Sequence, residues 1–157
     1  MPDDTLLHFE DMPPGTVFPL GPKHVTADEI IAFAMEYDAQ PMHLDAEAGK
    51  QSILGGLAAS GWHSCSMMMR MMAKSYLLRA AAEGAPGVDF VKWKKPVLAG
   101  DVLSGETRVL DGRASQSRPG IGILHLRHEL RNQAGETVLE SENPVMVRLR
   151  NPESADI

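Results

Sequence analysis

The sequence predicts an α+β fold in which an antiparallel sheet wraps around a long central helix, and three observations point to it. From Gln51 to Met69 no residue is charged, and the stretch runs into Met67, Met68, Met69, Met71 and Met72, as expected of a helix surrounded by other elements. After Pro86 the apolar residues stop recurring at helical spacing and begin to alternate. The alternating segments are long and separated by short turn signals, which favours an antiparallel meander.

In chain order, GTVFPLGPKHVT (15–26) has the β-branched and turn residues of an opening strand or extended arm. Thr26 then starts Thr-x-x-Glu with Glu29, a capping box. Ile30, Phe33, Ala34 and Tyr37 follow at helical spacing, which predicts a helix over 27–37. Pro41 lacks an amide hydrogen and disfavours helical geometry at Gln40, so the helix ends by Ala39 and the residues beyond it form a turn. The second helix is expected from Gly61 to Ala82, with Ser60 as N-cap and Gly84 as the stop. Its methionines read as adaptable core filler. Four strands follow: VDFVKWKKP, DVLSGETRVLDG, GIGILHLRHELRNQ and ETVLESENPVMVRLR. In the third, Leu124, Leu126, His128 and Leu130 share one face, and His125, Arg127, Glu129 and Arg131 share the other. Pro144 suits a bulge or an edge in the last strand. A sheet of this size leaves part of the helix or an edge uncovered, so a homo-oligomer is expected.

Length and composition set limits. A chain of 157 residues, 43% hydrophobic and 23% charged, suits one globular domain over 1–157 with a core at about 9–150, a short acidic lead and a loose tail after Arg150. A net charge of -6 argues against a broad nucleic-acid surface, although a local basic patch would still hold an anionic ligand. The N-terminus MPDDTLLHFEDMPPG shows no basic-then-apolar signal pattern. Gly55, Gly56, Ser60, His63 and Ser64 make the uncharged stretch a poor membrane span. Cys65 is the one cysteine, so neither an internal disulfide nor a thiolate zinc cluster is expected, and a cytoplasmic location fits.

Two features carry chemistry. Asp38 and His43 flank Pro41, and a turn there aims both side chains at one point, where they would hold a water and move its protons. The plainer alternative is an aspartate that ends a helix beside a satisfied histidine. In GGLAASGWHS, small residues approach the start of the long helix, where the Gly61 amide would polarise a carbonyl oxygen. Tight helix packing explains the same small residues.

DAQPMHLD (38–45), followed by Gly61 in AASGWH, resembles the MaoC-like dehydratases, a hotdog-fold family that includes (R)-specific enoyl-CoA hydratases. That family's pattern is Asp-x-Asn-Pro-x-His-x-Asp and then a glycine at the start of the central helix. KKPVLAGDVL, ASQSRPGIGIL and RNQAGETVL are similar to later parts of the family, so the likeness covers about residues 9–150. The resemblance implies that Asp38 and His43 activate the water added to a 2-enoyl thioester, and that the Gly61 amide binds the thioester carbonyl. Gln40 stands where the family usually has Asn, and Ser60 where many members have His. With Trp62 and Lys94 these residues are candidate substrate contacts, and they bear on which acyl chain is accepted.

The resemblance implies an acyl-CoA or acyl-carrier thioester substrate, a homodimer, and no cofactor or metal. Lys92, Lys94 and Lys95, with Arg118, form either a solvated basic edge or a contact for coenzyme A phosphates. His63 reads as a packing or cap residue, Cys65 as an inert thiol, and His125 and His128 lie on opposite strand faces and so form no metal pair. Thioester hydrolysis on the same fold and a non-catalytic acyl-binding subunit are the rival readings.

Overall fold

The computed structural model of this protein describes residues 6–152. The acidic residues before Leu6 and the tail from Glu153 lie outside the described residues. The strands are β1 (Val17–His24), β2 (Phe90–Trp93), β3 (Val102–Ala114), β4 (Ile121–Arg131) and β5 (Thr137–Arg148). They form one antiparallel sheet in the order β1-β3-β4-β5-β2. The helices are α1 (Ala27–Tyr37), α2 (Pro41–Leu44), α3 (Ala46–Gln51) and α4 (Gly61–Ser75). This is the α+β hotdog arrangement, with α4 packed into the curl of the sheet.

Alternation decides which face of the sheet meets α4. In β4, Leu124, Leu126, His128 and Leu130 are buried and the residues between them are half-buried. Met67, Met68, Met71 and Met72 of α4 join them in one core with Leu103, Val109, Leu139 and Val147. Met69 is 52% exposed, so α4 is covered on one side and bears an open stripe through Trp62, Ser66, Met69 and Arg70, rather than being surrounded.

The long helix is shorter than expected. It stops at Ser75, because Tyr76 leaves helical geometry and turns inward, its ring stacked on Phe18 at a centroid distance of 4.4 Å. Its hydroxyl donates to Thr107 Oγ1 (3.3 Å), which is 2.8 Å from His128 Nδ1, while His128 Nε2 lies 2.6 Å from Asn143 Oδ1. An amide oxygen only accepts, so Nε2 carries the proton and Nδ1 accepts from Thr107, which pairs every group in the chain. Beyond a 3-10 turn at Leu77–Arg79 the chain leaves helical geometry, with β-bridges at Ala80 and Ala82, and Ala81, Glu83 and Gly84 exchange backbone hydrogen bonds with Leu7 and β5.

Pro144 is not on an edge strand, since β5 lies between β4 and β2. It falls in a gap on the β2 side, between the bonds Asp89 makes to Glu142 and those Gly84 and Glu83 make to Met146, so its missing N–H breaks no ladder. Where β3 pairs with β4, a Cβ on Gly105 would stand 1.8 Å from the Glu129 carbonyl oxygen. Gly105→Ala is therefore expected to destabilise the fold by about 3 kcal/mol or more, read as a lower urea midpoint.

Candidate active site

The end of α1 is set by its sequence. Thr26 Oγ1 accepts from the Glu29 amide while Glu29 Oε2 accepts from the Thr26 amide, so the capping box forms as expected. The helix closes at Tyr37, with Asp38 as C-cap. Pro41 does more than end α1. It occupies the first position of α2, where its fixed φ suits a helix start, so His43 sits on a short helix rather than in a turn. Asp45 caps α3 by accepting from the Ala48 amide at 2.9 Å.

These short helices bring His43 back toward Asp38. His43 Nδ1 lies 2.7 Å from the Ala58 carbonyl oxygen, in a buried contact. A carbonyl only accepts, so Nδ1 carries the proton and Nε2 of the neutral ring is left as an acceptor. That nitrogen lies 3.5 Å from Asp38 Oδ2. Two acceptors side by side are suited to hold one water by its two hydrogens.

Ser60 stands at the N-cap position of α4, yet its hydroxyl makes no cap bond. It donates instead to Asp38 Oδ2 at 2.7 Å, and Ser60 is fully buried. Gln40 Nε2 donates to Asp38 Oδ1, also at 2.7 Å. The Ser60 and then the Gln40 hydrogen bond favour the charged carboxylate and hold the Asp38 carboxyl below its ordinary range; partial burial opposes them and His43 adds a smaller pull. Gln40 and Ser60, expected as substrate contacts, thus both have a partner in Asp38.

Asp38, His43 and Gly61 line one cleft of about 360 Å³, together with Gln40, Trp62 and Lys94. Gly61 is the first residue of α4, so its N–H is among those with no acceptor inside the helix. Trp93 packs on it: its indole Nε1 donates to the Gly61 carbonyl at 2.9 Å, and a Cβ on Gly61 would meet the ring at 2.6 Å. Trp62 is 62% exposed and stands edge-on to Trp93 with centroids 5.3 Å apart. The sequence offered no signal for the Ala58 carbonyl, which is backbone. Trp93 was legible only as a strand residue.

Other candidates separate from this cleft. Lys94 and Lys95 bond through their amides to the Val138 carbonyl, whereas Arg118 lies in the turn beside the Leu149 end of β5. That is about 35 Å along the strand, too far for all of them to share one phosphate pair. Lys92 lies over the Phe90 ring at 5.0 Å, and Lys95 pairs with Glu136. His63 is buried, stacked on Phe33 at 4.8 Å, with Nε2 3.7 Å from Glu29 Oε1; burial holds its pKa below the ordinary value against the pull of Glu29. The Cys65 thiol is half-buried, and burial pushes its pKa up. His125 faces Asp89 and Glu142 on the outer side of β4, while His128 is buried on the inner side.

The family model described as "MaoC like domain" matches residues 11–122. Among solved structures, the chain is similar to the MaoC-like dehydratase from Rhodospirillum rubrum, at 41% identity and a TM-score of 0.85, covering 92% of this chain and 99% of that one. It is also similar in fold to the (R)-hydratase from A. caviae involved in PHA biosynthesis, at 23% identity and a TM-score of 0.70, covering 87% of this chain and 97% of that one. An uncharacterised protein of Bacillus subtilis (strain 168), YdeM, is 27% identical over 134 residues, 85% of this chain and 94% of the relative. No helix among the described residues is long and apolar enough to cross a membrane.

The depressed Asp38 pKa has a consequence for stability. A carboxyl whose pKa is lower when folded contributes stability that is fully present above its unfolded pKa and is lost as pH falls through the folded value. Removing the first cause should undo part of this. In Ser60→Ala, the Asp38 carboxyl is expected to titrate nearer the ordinary aspartate value, as read from its carbon chemical shift against pH.

Proposed function

Because this chain belongs to the family of MaoC-like domains, we propose that it is a hydro-lyase that reversibly adds water to a 2-enoyl thioester, giving a 3-hydroxyacyl thioester. The observation that carries this reading is the 3.5 Å approach of His43 Nε2 to Asp38 Oδ2 on the wall of a cleft that Gly61 also lines. The 41% identity to a MaoC-like dehydratase supports the same class of chemistry.

On this reading the water sits between Asp38 Oδ2 and His43 Nε2. The Asp38 carboxyl is a weak base, because its charged form is already stabilised by Ser60 and Gln40. His43 Nε2 is the acceptor left open by the Nδ1 contact with Ala58, so it takes the proton as the water oxygen bonds to C-3. The Asp38 carboxylate offsets the charge that appears on the ring. The electron pair of the double bond moves onto the thioester oxygen, where the Gly61 amide holds the enolate. The proton then passes from His43 to C-2, and the ring returns to its starting form. Ser60 and Gln40 position Asp38, while Trp62 and Lys94 contact the acyl carrier at the rim.

The protein is read as one domain acting as a homodimer in the cytoplasm on an acyl-CoA or acyl-carrier thioester, without metal or cofactor. An ultraviolet assay with crotonyl-CoA and a longer trans-2-enoyl-CoA, run beside a thiol reagent, tests the reaction. Loss of conjugation without thiol release is the expected result; thiol release would make the protein a thioesterase, and silence in both would leave either a different acyl substrate or an acyl-binding subunit. Asp38→Asn and His43→Ala are each expected to lower kcat by about 10²–10⁴, the range seen for a lost acid–base group, while the protein still folds, as read from a cooperative melting transition. Full activity in both variants would show the site to be misassigned.

A further inference from the structure

A second cleft, of about 370 Å³, lies between β1 and the C-terminal half of α4. Lys23, Arg70, Lys74 and Arg79 line it and no carboxylate does, although the chain as a whole has 21 acidic residues against 15 Lys and Arg. Its sign is therefore opposite to that of the molecule. Met67 and Met71 contribute its apolar wall.

Most arginines of the chain lie against an acid: Arg108 with Glu106, Arg127 with Glu140 and Glu142, Arg131 with Glu129, Arg148 with Glu83 and Arg150 with Asp11. Within this cleft Lys23 alone has such a partner, Glu29 at 2.8 Å. Among the described residues, Arg70, Lys74 and Arg79 form no ion pair, and Arg79 Nε donates to the Ser75 carbonyl at 3.2 Å. Favourable interaction with the C-terminal end of α4 accounts for Lys74 and Arg79. It does not account for Arg70, a turn earlier, or for Lys23, which comes from β1.

Backbone geometry keeps the cleft open. Between Leu20 and Lys23, β1 has one more residue than the facing stretch of β3, a bulge at Gly21 and Pro22. Gly21 has φ +84°, and a Cβ there would stand 2.5 Å from the Leu103 carbonyl oxygen, so no side chain can fill the cleft from that position. The volume is within the range of small-ligand sites.

We infer that this cleft binds a small molecule carrying two linked or neighbouring phosphoryl groups. Arg70 and Arg79 have the planar forks that match phosphate oxygens, Lys23 and Lys74 act as point charges, and concave walls strengthen the field they produce. The methionines leave room for an apolar or aromatic portion of the ligand. The inference is independent of the hydro-lyase reading. Arg70 follows Gly61 by nine residues, about 14 Å along α4.

Calorimetric titration of the full chain with inorganic pyrophosphate, ADP and adenosine tests it. Pyrophosphate and ADP should bind and adenosine should not, with affinity falling as salt is raised. Tighter binding of ADP than of pyrophosphate would identify a nucleotide as the source of the phosphates; equal binding would identify the diphosphate alone. Arg70→Ala with Arg79→Ala is expected to weaken pyrophosphate at least about tenfold, equivalent to about 1.4 kcal/mol. Should that variant lose its native melting transition, Lys74→Gln provides the same readout, with a smaller loss. The inference is overturned if neither anion binds, if the folded variants bind as the parent does, or if Lys94→Ala removes binding instead, which would put the anion in the cleft at Asp38.

Discussion

A single hydrogen bond, from the buried Ser60 hydroxyl to Asp38 Oδ2, ties the end of α1 to the start of α4. Hydrogen bonds to a charged partner are worth about 1.5–3 kcal/mol, more than neutral ones, because the charged acceptor strengthens the attraction. This bond fixes where the carboxylate stands relative to Gly61, the residue that follows Ser60. It also uses the hydroxyl that would otherwise cap the helix, so the first amides of α4 are left without a side-chain acceptor from Ser60. The geometry of the cleft depends on that exchange: an anchored carboxylate on one side and free amide groups on the other.

Around this contact, each element is held by a constraint with a definite physical origin. His43 is oriented by the Ala58 carbonyl, which leaves only one tautomer of the neutral ring consistent with the bond. Gly61 has no side chain because Trp93 occupies the space that a Cβ would need. At the other end of α4, Tyr76 enters the core and joins Thr107, His128 and Asn143 in a buried polar chain. Burial holds His128 below the ordinary histidine pKa, against the pull of its bond to Asn143. The neutral ring is what the hydrogen-bond directions require. A largely apolar interior thus contains a directional network that links β3, β4 and β5 to the end of α4.

The elements that local chemistry controls were legible in advance. The capping box at Thr26 and Glu29, the helix it begins and the alternation in β4 follow from interactions within a few residues. The end of α4 was not legible, because nothing between Ser75 and Ala82 forbids a helix; Tyr76 leaves it to reach Phe18 and Thr107, far away in sequence. Pro41 was read as a stop. It is also a start, since the residue that cannot continue one helix has the right φ to open the next. Met69 looked like core by composition, and only the path of the sheet decides that it faces outward.

For the site, the sequence by itself determined which residue types were present and the spacing of Asp38, Pro41, His43 and Gly61, because those are local facts of the chain. It determined the antiparallel sheet and its central helix for the same reason, since periodicity is a property of neighbouring residues. Only the tertiary structure decided that Ser60 and Gln40 serve the carboxylate, that Ala58 selects the His43 tautomer, and that Trp93 covers Gly61. Those contacts depend on how α2 and α4 fold back against the sheet. A hydrogen bond needs angstrom placement of two groups, and sequence separation carries no information about that distance.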